Sequence, residues 1–414
     1  MPFYNGIQVI EKLMLKKHNP TLLSILIYSL SLFILISCQA ISKDHKTNTT
    51  TTTYTPIKAT ISASFSDDGQ LWRLIPTKEA IFVDFSLDNG ATYSSPVQVN
   101  SLKQKISAWP ENPPAINISS SGRINVLYYA DTDQKSTSFF SYSDDNGKTF
   151  STPALISDHA KSAMHYMDKM LIDKDNNAYL FWHDTRHESH SPDWGEGALS
   201  LYYSIKKPLD NSQFVNKFIS NGICSCCRTA TAFSNTGMPV IFARMVYKDG
   251  IRDHALIRMN NDNTWSTPQR ATYDQWAIEA CPEHGPSIAI DQDNRTHMTW
   301  FTLGDIRTGI FYAYTDDFGK TTSAPIPLGN INHLPSHADV ISLNQRVIIA
   351  WKEFDGEHTT LHIKESLDRG ESWLDKKTTL ATSSQNNHPK LLNNSSDLFL
   401  SWTTQDEGHR ILKL

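Results

Sequence analysis

Ser143-Asp144-Asp145-Asn146-Gly147-Lys148-Thr149-Phe150 reads Ser-x-Asp-x-Gly-x-Thr-aromatic, and the chain repeats it. Ser86, Asp88, Gly90, Thr92 and Tyr93 give a second copy. Thr315, Asp317, Gly319 and Thr321 give a third, and Ser366, Asp368, Gly370, Ser372 and Trp373 a fourth. Each copy follows an alternating apolar run and precedes a short strand-like segment, the setting of a hairpin. Asp accepts from local backbone N–H groups, the hydroxyls tie the turn shut, and Gly supplies a positive φ. One copy would be any β-turn. Four copies at matching places mark a repeat.

Outward from these turns, a strand, a Gly/Asn/Asp turn and a second strand ending in aromatics recur seven times. The pairs are 61–65 with 71–75, 115–118 with 124–129, 170–172 with 178–182, 230–233 with 239–243, 287–290 with 296–300, 339–341 with 347–351, and 390–392 with 398–402. A third strand and an Asp turn, intact or decayed, follow six of them. The expected fold is all-β: a β-propeller of four-stranded blades, seven favoured and six the alternative. The last unit shows three strands, and one near 54–58 would complete it and close the ring.

The Asp turns at Asp88, Asp145, Asp317 and Asp368 resemble Asp boxes (BNR repeats) of the sialidase superfamily. The resemblance covers most of the chain after about residue 57. It implies a propeller fold far more specifically than an activity.

The N-terminal stretch is set apart from the fold. Lys12, Lys16 and Lys17 precede an apolar run from Thr21 to Ile36, which ends Leu35-Ile36-Ser37-Cys38. This resembles a bacterial lipobox and implies a lipoprotein signal over 1–37 with Cys38 lipidated. Gln39 is not the Asp that favours inner-membrane retention, so the outer membrane of the cell envelope is expected. Residues 38–56, with Thr49 to Thr53 in a row, read as a flexible tether. The propeller is expected over 57–414. A charged fraction of 20% and a net charge of -5 argue against a nucleic-acid partner. Contact with the membrane through the anchor alone, and a monomer, are expected.

A propeller sorts its loops by face. The Asp boxes join strands 3 and 4 of a blade and lie on one face. The segments entering strand 1, and those joining strands 2 and 3, lie on the other. Aligned on Ala232 and Ala289, 57 residues apart, Cys224 falls opposite Cys281 and Cys227 opposite His284. The same entrance holds Trp109 and Glu111, then His165 and Asp168, then His337, then His388. Cys and His are thus expected at one mouth.

Three readings of Cys224, Cys226, Cys227 and Cys281 stand: structural disulfides, including a Cys224–Cys281 link, a soft-metal site for Cu or Zn with His284, or free redox-active thiols. His165, His254, His337, His388 and Trp109 are candidate ligand-binding residues. The strand 2–3 loops carry charged groups that suit a small polar or glycan ligand. Arg186, Arg228, Arg252, Asp253, Arg307 and Arg410 are the catalytic candidates if the chain is a sialidase-like glycoside hydrolase. Trp72-Arg73-Leu74-Ile75-Pro76 resembles the sialidase Phe-Arg-Ile-Pro motif poorly, because Arg73 falls on the second strand of its unit. Cys224 to Ala230, Arg252 to Ala255, and Ala280 to Pro286 are similar to stretches in bacterial sialidase-superfamily proteins of undefined activity. The chain is therefore expected to bind a polar ligand or metal at the mouth. The alternatives are a sialidase-type hydrolase and a non-catalytic surface scaffold for glycan or protein.

Overall fold

The computed structural model describes residues 60–131, 136–158, 165–186, 194–376, 378 and 380–414. Cys38, the tether and the expected closing strand near 54–58 lie outside them.

Seven antiparallel sheets form seven blades. Their innermost strands are Ser62–Phe65, Ala115–Ile118, His165–Ile172, Ala230–Phe233, Ser287–Ile290, Ser336–Leu343 and Lys390–Asn393. Each neighbours the next, and the last neighbours the first, so the sheets close into a ring. Blades 1 to 6 have four strands apiece, with short additions at Lys105–Ile106 and Ala381–Thr382. Blade 7 has three among the described residues: Lys390–Asn393, Leu398–Thr404 and Gly408–Lys413. Its junction with blade 1 is apolar, with Phe65 against Phe399 at 4.6 Å between ring centroids.

The second strands carry the core. Ala178–Asp184 and Leu398–Thr404 are buried along their whole length, because sheets pack on both faces. Trp182 and Trp402 are fully buried there.

The Asp boxes lock in the same way four times. Asp145 Oδ1 accepts from Thr149 N at 2.9 Å, and Oδ2 accepts from Thr149 Oγ1 at 2.6 Å. Ser143 Oγ accepts from Gly147 N at 3.0 Å. Two successive residues take positive φ, Asn146 at 60° and Gly147 at 76°. A Cβ on Gly147 would come within 2.8 Å of the Trp72 ring of the preceding blade, so glycine serves both backbone and packing there.

Two innermost strands open with a bulge. Register slips between Tyr166 and Lys169 in blade 3, and between Ser336 and Asp339 in blade 6. Met167 and His337 take positive φ at these points, 59° and 55°. Bulges re-aim side chains at the ends of strands, and both lie at the face opposite the Asp boxes.

Candidate functional site

The segment from Cys224 to Arg228 leaves the outermost strand of blade 3 (Lys217–Cys224) and enters the innermost strand of blade 4. It sets its thiols beneath the mouth and carries Arg228 to the axis.

The Sγ atoms of Cys224, Cys226 and Cys227 lie within 4.8 Å of one another. Cys224 and Cys226 are 3.9 Å apart. Cys281, from the segment entering blade 5, is in hydrogen-bonding contact with Cys226. All four are unpaired in this structure, with neither Cys224 nor Cys281 in a disulfide. Cys224 is buried, and Arg252 Nη1 donates to its sulfur at 3.0 Å. Hydrogen bonds from Cys226 and Cys227, then the charges of Arg252 and Arg244, hold the Cys224 thiol well below its ordinary range. Cys226, in hydrogen-bonding contact with Cys224, Cys227 and Cys281, is held far above it. Burial pushes Cys227 up to about 12. Negative charge in the cluster is therefore favoured at Cys224 over its neighbours.

A second cluster sits at the axis. Glu111 is buried, and Arg228 Nη1 donates to both of its oxygens at 2.8 Å. His337 Nε2 lies 3.2 Å and His388 Nε2 3.0 Å from the same oxygen, Oε1. His284 stacks on His337 with centroids 4.5 Å apart. Four segments that enter innermost strands thus supply one cluster, with His337 on such a strand itself. Burial drives Glu111 upward, but Arg228 and the two imidazoles outweigh it, so the carboxyl sits well below its ordinary value. Burial holds His284 and His337 well below the ordinary imidazole range, and His388 at about 3. Lys169 and Lys352 are lowered by burial to about 8. Gly285 makes the close approach feasible: a Cβ there would come within 2.2 Å of Arg228 Cγ.

His284 therefore sits with the axial imidazoles, not among the thiols. His165 is buried beside Ser157, 2.8 Å from its Oγ, and 3.2 Å from Asp184. His254 is buried with neither ring nitrogen hydrogen-bonded. Trp109 packs edge-on against Tyr129. The catalytic candidates are held by separate partners. Arg186 pairs with Asp184 and Asp158, Arg228 with Glu111, and Arg307 with Asp274. Asp253 is buried against Arg270, and Arg410 lies over Trp402. Arg73 pairs with Asp84 and covers Tyr93 within its own blade, away from the mouth. Sequence reasoning did not single out Lys169. It follows Asp168 directly, donates from Nζ to the Asp168 carbonyl at 3.0 Å, and feels the charges of Arg228 and Glu111.

No family model and no curated protein matches the chain. Solved structures match by shape. A polysaccharide lyase described as an ulvan lyase superposes with a TM-score of 0.56 at 10% identity, over 86% of this chain and 92% of its own. A Hadza microbial sialidase gives 0.49 at 13% identity over 84% and 73%. Trypanosoma rangeli sialidase gives 0.45 at 13% over 85% and 58%. At such identities the likeness is one of fold, a β-propeller.

Proposed function

We propose that this propeller is a lipid-anchored envelope protein that holds a soft metal ion, Cu(I) or Zn(II), at its mouth through Cys224, Cys226 and Cys227, with Cys281 as the fourth thiol. One observation carries the reading: three sulfurs share one small volume without a disulfide. Sulfurs bound at about 2.3 Å to a common ion stand about 3.8–4.0 Å apart, and Cys224 and Cys226 are at 3.9 Å. Thiolates select such ions over harder ones. Arg252 offsets the negative charge that several thiolates would gather in a buried place. The anchor rests on Cys38 and the lipobox resemblance alone.

The test titrates the reduced full-length protein with Cu(I) or Zn(II) against a competing chromophoric chelator. The expected result is tight binding that weakens at least tenfold in Cys224→Ser and in Cys227→Ser. Two disulfides in non-reducing mass spectrometry of freshly isolated protein, or no competition with the chelator, would sink the reading. Loss of acyl labelling in Cys38→Ala checks the anchor. The alternative, a sialidase-type hydrolase, needs free arginines to clamp a sialate carboxylate. Arg186, Arg228 and Arg307 already hold carboxylates of the protein. Release of a fluorogenic aglycone from a sialoside would nevertheless establish that alternative.

A further inference from the structure

The axial cluster is chemically unlike the thiols. It has one carboxylate and two imidazoles, from three separate blades, and no sulfur. Glu111 Oε1, His337 Nε2 and His388 Nε2 lie within 4.8 Å of one another. The two nitrogens are 3.2 and 3.0 Å from the oxygen. Ligand atoms held at about 2.0–2.1 Å by one ion stand about 3–3.4 Å apart.

His337 Nε2 also lies 3.2 Å from the Glu283 carbonyl oxygen, a contact that an ion at this place would replace. Neither nitrogen of His388 is hydrogen-bonded, although Nε2 lies 3.0 Å from a carboxylate oxygen. His337 Nδ1 is also buried and without a partner. His337 further takes φ of 55°, which a non-glycine residue adopts at a cost, and strain of this kind gathers at functional sites. The bulge that imposes it brings the ring over His388.

We propose that Glu111, His337 and His388 form a second metal site, for a divalent ion of the Zn(II), Co(II) or Ni(II) class. Imidazole is a strong ligand for these ions. Mg(II) and Ca(II) are disfavoured, since they depend on carboxylate oxygens and the cluster offers a single carboxylate. Arg228 stays on Glu111 as the group that orients the carboxylate, the role outer partners commonly play around a metal. This inference does not rest on the thiol site.

Co(II) separates the two sites by spectrum. The reduced full-length protein is titrated with Co(II), with visible d–d bands and the near-ultraviolet sulfur-to-cobalt band followed together. Two equivalents are expected: one with the sulfur band and one without it. His388→Gln and His337→Gln should each abolish the equivalent that lacks the sulfur band and leave the other unchanged. If every bound equivalent carries the sulfur band, or if neither substitution alters the sulfur-free equivalent, the proposal is overturned. A variant that fails to fold is replaced by anomalous diffraction from the unmodified protein soaked in Zn(II). There, a peak bonded to both Nε2 atoms supports the site, and the absence of one refutes it.

Discussion

His337 and His388 lie face to face, with ring centroids 3.6 Å apart and planes 8° from parallel, though they come from different blades. Both point Nε2 at Glu111 Oε1. Two imidazolium rings at that spacing would repel, and burial holds both well below the ordinary imidazole range. The stack is therefore a pair of neutral rings beside an ionised carboxylate whose charge is met by Arg228.

That arrangement makes Glu111 costly to remove. Glu111→Gln leaves Arg228, buried except for 14% of its side chain, without a counter-charge. Breaking one half of a buried pair costs about 3–5 kcal/mol. Urea unfolding should show a loss of that size, and the double variant Glu111→Gln/Arg228→Met should lose less than the two single variants summed.

Negative charge at Cys224 has two kinds of support, of unequal size. Hydrogen bonds from Cys226 and Cys227 outrank the charge of Arg252. Followed by thiolate absorbance in metal-free protein, Cys226→Ala should raise the titration of Cys224 more than Arg252→Met does. An equal or reversed order would show that Arg252 governs the charge.

Acid should loosen the ring through its buried histidines. Burial lowers His183 and His297 to about 4, against about 6.5 in an unfolded chain. Between those values the unfolded chain binds more protons, so stability falls as pH drops from about 6.5 toward 4. At pH 5 each histidine should cost about 1–2 kcal/mol relative to pH 7.5. Denaturation midpoints across that range check this, and His297→Gln should flatten the slope.

Gly370 sits in the fourth Asp box with φ of 86°, and a Cβ there would come within 2.0 Å of the Tyr312 hydroxyl. Gly370→Ala should therefore destabilise the protein by about 1–3 kcal/mol. Gly69→Ala has a similar φ of 85° but open space around it, and should cost less. Thermal unfolding of the two variants separates the packing effect from the backbone effect.

The propeller was legible in the sequence because its signals are local. An Asp box is closed by bonds between residues two to four apart, and alternation along a strand depends only on the next few positions. All seven inner hairpins and the register of the blades follow from such short-range terms. The repeat also placed Cys224, Cys281, His337 and His388 at strand entrances on one face. Which of them meet was decided by the ring. His284 belongs with His337 and not with the thiols, and the cysteines gather without bonding, because two bulges and the closure of seven blades fix side-chain directions. Such contacts join residues more than a hundred positions apart, as Glu111 and Arg228 do. No local pattern in the chain encodes a distance of that kind.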